Sequence, residues 1–260
     1  MRPTRVDYGL DAPPVVRNLL LVAALGLGLW LAAAVHLWTG AARLSLGGTG
    51  VRVVVAPAAF SVGLACLAMA LWMIWWSRVG KVRQRERLLD TLTWTGAERV
   101  LDVGCGRGLM LLGAAKRLRN GQAVGIDLWR RQDLGQNRPG AVWTNAALEG
   151  VSDRVALETA DMRALPFPDA SFDLVVSQAA VHNLSQTSDR ARALREISRV
   201  LRPGGRLLLA DIRHLGEYAG VLRAEGLEVR IAGSVLARAL LRLVTFGALR
   251  PGVLRGRRPE

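Results

Sequence analysis

Val100-Leu101-Asp102-Val103-Gly104-Cys105-Gly106-Arg107-Gly108 is the stretch from which the rest of the chain is read. Val100, Leu101 and Val103 form a short apolar run with a single acid, Asp102, which suits a strand covered on both faces, as in a parallel sheet. Glycines then alternate. They allow left-handed backbone angles and let the main chain approach a ligand without a Cβ in the way. A helix begins near Leu109, so its unpaired N–H groups face whatever occupies the turn.

The phase of the glycines narrows the ligand. A dinucleotide turn, G-x-G-x-x-G, would place its third glycine at 109, where the chain has Leu109. The spacing here is G-x-G-x-G behind a strand acid. It resembles motif I of the class I S-adenosylmethionine (SAM)-dependent methyltransferases, so Asp102, Gly104, Cys105, Gly106 and Gly108 are expected at the cofactor.

Downstream the pattern alternates strand and helix, which favours an α/β sheet with crossover helices. Helix 109–119 leads to strand 122–127 (QAVGID), ending in Asp127, 21 residues after Gly106. Folds of this kind place a carboxylate for ribose hydroxyls at about that distance, and the resemblance gives Asp127 the SAM ribose. Leu128 or Trp129 would then pack on adenine. Residues 130–141 read as a polar loop or lid, followed by a helix to 149 and a strand over 154–159. The run Ala160-Asp161-Met162, then Leu165-Pro166-Phe167 and Ser171-Phe172-Asp173-Leu174-Val175-Val176-Ser177, resembles the family's stretch around its fourth strand. By that resemblance Asp161 accepts from the adenine amine and the Met162 N–H faces the ring. Asp173 is read as structural.

Strand four ends at Ser177-Gln178, where an open parallel sheet presents its ligand, so Ser177 is expected at the cofactor. Just beyond lies His182, one of three histidines and the candidate to orient or deprotonate an acceptor; a role limited to shaping the pocket is the other reading. Helix 189–201, a turn at Arg202-Pro203-Gly204-Gly205, strand 206–212 ending near Asp211, helix 215–225 and strand 227–231 follow. The run L-R-P-G-G-R-L-L-L-A-D is another family match. Residues 234–246 suggest a basic helix over the sheet or on a membrane, and a last strand near 247–255 is weakened by Pro251 and Gly252.

The resemblance covers about residues 97–232 and is nearest the branch that includes ubiquinone and menaquinone methyltransferases, within methyltransferase type 11. It implies a Rossmann-like α/β fold: a seven-stranded, mostly parallel sheet with helices on both faces and SAM across its carboxyl edge. No His/Cys/Asp cluster has metal-ligand spacing.

The amino-terminal third is different. No Asp, Glu, Lys or Arg occurs from Leu19 to Trp38 or from Val53 to Trp76. Each run would cross a hydrocarbon core of ~30 Å as a helix. The expectation is a two-helix transmembrane hairpin over 19–76 (spans about 19–38 and 53–76). A cytoplasmic segment 1–18 precedes it, a basic linker helix 77–97 follows, and 98–260 is the catalytic domain. Arg43 and Arg52 lie between the spans, against Arg78, Lys81, Arg83, Arg85 and Arg87 after them; the positive-inside rule then puts the catalytic domain in the cytoplasm and the protein in the cell membrane.

The net charge is +14, which ordinarily raises a nucleic-acid partner. All but Lys81 and Lys116 of the basic residues are Arg, in a chain rich in Ala, Leu and Gly, so nucleic acid is disfavoured and anionic headgroups are the better partner for that charge. Cys66 and Cys105 lie in different segments and suggest no disulfide; Cys105 has no flanking base and reads as a small turn residue. Three functions remain from sequence: a SAM-dependent methyltransferase acting on an O, N or C nucleophile of a small, lipophilic acceptor such as a quinone precursor or lipid; a catalytically silent Rossmann-like membrane scaffold; and, disfavoured by Leu109 and Asp161, a nicotinamide-dependent oxidoreductase.

Overall fold

The computed structural model describes residues 5–46, 49–130, 137–232 and 251–260. The chain divides into two compact units, one of residues 9–82 and one of residues 1–8 with 83–260.

In the first unit, helix α1 (Pro13–Ala34) starts on a proline at its first turn, where a missing N–H costs nothing. Helix α2 (Ala56–Trp75) likewise carries Pro57 in its first turn. Both are long and apolar enough to cross a membrane. They meet through small residues: a Cβ on Gly26 would lie 2.5 Å from the Ala59 carbonyl oxygen, and one on Gly63 2.9 Å from the Leu27 nitrogen. Their outer faces expose Leu21, Leu25, Leu71 and Trp72. The first helix begins six residues before the expected span and stops at Ala34. The link carries an antiparallel pair, β1 (Ala41–Leu46) and β2 (Thr49–Val54), so Val53 and Val54, expected to open the second span, are strand residues. β-Branched valines favour that pleated geometry. Helicity continues past α2 through Trp76–Gly80 into α3 (Lys81–Leu89). The linker helix thus ends eight residues before its expected limit, at a run that includes Thr91, Thr93 and Thr95 and leads to Gly96 at φ +88°.

The larger unit is built on a seven-stranded sheet ordered β5-β4-β3-β6-β7-β9-β8. Its members are β3 (Arg99–Val103), β4 (Gln122–Asp127), β5 (Val155–Thr159), β6 (Phe172–Gln178), β7 (Leu201–Asp211), β8 (Glu228–Ala232) and β9 (Gly252–Arg257). Strands β3 to β7 pair in parallel, and β9 runs antiparallel between β7 and β8. Alternate strand residues face opposite layers. Leu101, Val103, Val175, Leu207 and Leu209 join the core made with α6 (Thr187–Val200) and α7 (Leu215–Ala224). Intervening positions meet α4 (Leu109–Ala115), whose Leu111 side chain sits where a Cβ on Gly125 would be. Helix α5 (Pro139–Glu149) follows the loop after β4.

Three boundaries differ from expectation. Arg202–Gly205 lies inside the long strand β7 instead of forming a turn; the extra residues are taken up by a register shift between Phe172 and Leu174 and by Gly204 at φ +71°. α4 ends at Ala115, short of 119. The last strand begins after Pro251, so no proline N–H is required of the ladder. The expected helix at 234–246 and the centre of the lid loop, 131–136, lie outside the described residues.

Candidate functional site

Strand order reverses beside β3, with β4 on one side and β6 on the other. A crevice therefore opens at the carboxyl ends of these strands. Ser177 bridges it from below: its buried hydroxyl donates to the Val103 carbonyl at 2.8 Å, tying the end of β6 to the end of β3.

The glycine turn fills the mouth of this crevice. Gly104 has φ +73°, and a Cβ there would lie 2.4 Å from the Ala180 Cβ. Gly108 caps α4 at φ +87°. The turn is held from behind by β4, whose Ile126 carbonyl accepts from both the Gly104 and the Cys105 N–H. The Asp127 carboxylate accepts from Gly106 N–H (2.9 Å) through Oδ2, and from Trp129 N–H (2.6 Å) and the Asn137 amide (3.1 Å) through Oδ1. Each carboxylate oxygen has two lone pairs, so Oδ2 keeps one for a ligand hydroxyl.

Asp102 lies beneath the turn. It is 1% exposed, and its Oδ2 accepts from the Leu111 N–H at 2.8 Å, fixing the start of α4. Burial, reinforced by the nearby Asp127 charge, pushes its carboxyl up to about 8. Cys105 is also buried, its sulfur packed toward Gly125, and burial beside Asp102 raises the thiol well above its ordinary range.

The remaining expected residues ring the turn. Leu128 stands exposed directly after Asp127, while the Trp129 indole N–H is committed to the Thr159 hydroxyl at 2.8 Å; Leu128 is thus the freer apolar surface of the two. Met162 reaches the turn, its Cε 3.6 Å from a Cβ placed on Gly104. Asp161 is gripped by Arg163, whose Nη2 donates at 2.7 Å, and that hydrogen bond holds the carboxyl below its usual range. It stays an acceptor at any physiological pH.

His182 sits on a short turn, Val181–Asn183, after β6. Its Nδ1 is 2.5 Å from Asp211 Oδ1 at the end of β7. The buried Asp211 carboxylate also accepts from the His182 N–H (3.2 Å), the Ile212 N–H (2.7 Å) and the Tyr218 hydroxyl (3.4 Å). Burial and the Asp211 charge raise the Tyr218 phenol, so it remains a donor.

Two groups escaped the sequence reading. Asn137 is 4% exposed, donates to Asp127 and leaves its buried Oδ1 without a partner among the described residues. An Asn two residues before a helix-starting proline was the only signal for it. The strap Arg5–Tyr8 is sewn to the turn by buried Asn145, which donates to the Asp7 and Arg107 carbonyls (2.9 and 3.0 Å) and accepts from the Asp7 N–H. Asp7 also pairs with Arg107, within the glycine turn, at 2.8 Å.

The cradle fits a nucleoside carrying an amino-acid tail. It combines a backbone turn that a Cβ would fill, carboxylate acceptors at Asp127 and Asp161, and a buried amide oxygen at Asn137 that is unpaired among the described residues. Among the described residues no group of three or more His, Cys, Asp or Glu could hold a metal ion.

Residues 101–209 match the family model of a methyltransferase domain. The chain is 36% identical over 151 residues, 58% of its own length and 52% of the relative's, to the 27-O-demethylrifamycin SV methyltransferase of Amycolatopsis mediterranei. It is 33% identical over 132 residues, 50% and 49% of the two lengths, to the ubiquinone/menaquinone biosynthesis C-methyltransferase UbiE of Dinoroseobacter shibae. The chain thus spans about half the length of these curated relatives. Its fold is shared with the YcgJ protein of Bacillus subtilis at TM-score 0.54 and 20% identity, covering 68% of this chain and 99% of that one. Residues 101–209 are thus similar in sequence to a methyltransferase domain.

Proposed function

We propose that this chain is a membrane-tethered methyltransferase that moves the SAM methyl group to an O, N or C nucleophile of a small lipophilic acceptor. The observation that carries the reading is the glycine turn at the end of β3, with its Gly106 N–H held by the Asp127 carboxylate at the end of β4. When bound, SAM supplies an electrophilic methyl on a sulfonium.

The chain's residues then have distinct tasks. The Gly104–Gly108 turn and the N-terminus of α4 receive the amino-acid end. Asp127, with Asn137, holds the ribose hydroxyls, while Asp161, Met162 and Leu128 bound the adenine. Asp102, Cys105 and Ser177 act through the turn, by fixing the strand ends and the helix start beneath it. His182 is oriented by Asp211 and takes the acceptor's proton at Nε2 as the acceptor attacks. A closed, apolar surround favours a step in which charge is lost.

The tether reading rests on two features. α1 and α2 have the length and composition of spans and expose large apolar side chains. Tyr8 and Arg85 flank that segment in sequence, yet they join within one folded unit, the Arg85 guanidinium donating to the Tyr8 hydroxyl at 2.8 Å. The chain leaves and re-enters the same body, as an even number of crossings requires. Arg85 and Lys81 are used in internal pairs, but Arg78, Arg83 and Arg87 remain exposed and keep the positive-inside assignment: catalytic unit cytoplasmic, hairpin in the cell membrane. That location favours a lipophilic acceptor.

The test is to incubate membranes containing the protein with SAM labelled in the methyl group and to identify the extracted product. A labelled lipid-soluble product that disappears in membranes carrying Asp127→Ala supports the reading. Label that stays in SAM across quinone-precursor and lipid extracts contradicts it.

A further inference from the structure

Strands β8 and β9 place arginines directly across from one another. The register pairs Arg230 with Arg255 and Glu228 with Arg257, and β9 pairs Arg257 with Arg206 of β7. Residues two apart on a strand share a face, so Arg230, Arg255 and Arg257 stand on one face of the sheet. It is the face opposite the core, since Val229 and Leu254 point the other way and are buried with α6 and α7. All three arginines are exposed. Arg257 has a 3.4 Å contact with Glu260, and Arg206 reaches toward Glu98 and the Thr93 carbonyl. Arg230 and Arg255 have no carboxylate partner among the described residues.

Like charges directly opposite on neighbouring strands are destabilising. Val229, Leu254 and Leu227 already supply the packing of this edge, and while Arg257 faces Glu228 across the strands, the Arg230–Arg255 pair adds nothing to the fold. Guanidinium groups present fork-shaped donors that match phosphate oxygens.

We propose that the outer face of β8–β9, through Arg230, Arg255 and Arg257, binds anionic phospholipid headgroups. For a chain held at a membrane by residues 9–82, an anionic leaflet is the nearest dense array of phosphates, and the proposal rests on that tether to this extent. Each arginine brought to such a surface strengthens partitioning ~5-fold, and salt weakens the attraction.

The full-length chain is reconstituted into nanodiscs of phosphatidylcholine alone, so that any further membrane contact must come from outside the hairpin. The discs are mixed with phosphatidylcholine vesicles, with or without phosphatidylglycerol, and floated on a density gradient. Flotation with the phosphatidylglycerol vesicles is expected, reduced at high salt and reduced ~25-fold by R230Q/R255Q. R230E supplies a second variant whose Glu faces Arg255 as an opposite-charge pair, so loss of flotation in it is not loss of the strand pair. Equal flotation with both vesicle types, no flotation with either, or wild-type flotation of both variants would overturn the proposal. So would competition by RNA that matches the lipid in its dependence on these arginines. Failure of the chain to enter nanodiscs at all is a separate result, and it would count against the hairpin.

Discussion

Gly104→Ala probes the cradle where it is tightest. The backbone there is left-handed, at φ +73°, a region that costs an L-residue with a Cβ roughly 1–2 kcal/mol. The new methyl would sit 2.4 Å from the Ala180 Cβ, against an ordinary carbon contact of ~3.5–4.0 Å. Overpacking of that order costs ~1–3 kcal/mol. Together these predict ~2–5 kcal/mol, a fall of about 5–15 °C in the melting of the catalytic unit, with binding of S-adenosylhomocysteine weakened as the turn shifts to escape the overlap. Adding Ala180→Gly removes the opposing methyl but leaves the backbone angle. The double variant should regain the overlap component and retain the backbone component, giving a coupling of ~1–3 kcal/mol in a thermal-melt mutant cycle. Strictly additive single effects, or a Gly104→Ala protein that melts and binds like wild type, would refute the close packing inferred for the turn.

Three further predictions follow from the same geometry. Asp102 has a folded-state carboxyl raised to about 8, so folding favours its protonated form: its contribution is full below about pH 4 and declines until about pH 8. Asp102→Asn, which keeps an acceptor for the Leu111 N–H, should gain melting temperature relative to wild type as pH rises through that window; a constant difference would contradict the assignment. Asn145→Ala strips three hydrogen bonds from the Asp7–Arg107 seam and should cost ~1–3 kcal/mol, read as faster trypsin cleavage at Arg5 and weaker S-adenosylhomocysteine binding. Asp211→Asn should lower kcat by roughly 10- to 100-fold, shift the pH–rate profile and leave the KM for SAM nearly unchanged; a KM effect alone would place Asp211 outside proton transfer.

The strands and the glycine turn were legible because buried parallel strands are short apolar runs and because G-x-G-x-G has a phase that excludes other turns. Asp127 was legible as the acid ending the next strand. Other features were hidden for identifiable reasons. The start of α1 was missed because charge counting began after Arg17, although Pro13 and Pro14 already marked a helix start. The pair β1–β2 was hidden in a short link that reads as a loop. Arg202–Gly205 carries every turn signal, yet Gly204 lets the strand run through it. The Asp7–Arg107, Asn137–Asp127 and His182–Asp211 contacts join residues 100, 10 and 29 positions apart. None of those pairs lies within a single helix or strand, so only the folded sheet brings them together.

Calorimetric titration of the detergent-purified, full-length chain with S-adenosylhomocysteine tests most directly whether the crevice beside β3 is a SAM cradle. Saturable one-to-one binding, lost in Asp127→Ala at a temperature where the variant is still folded, is the predicted result. No heat of binding in the wild type, or undiminished binding in the variant, would contradict it.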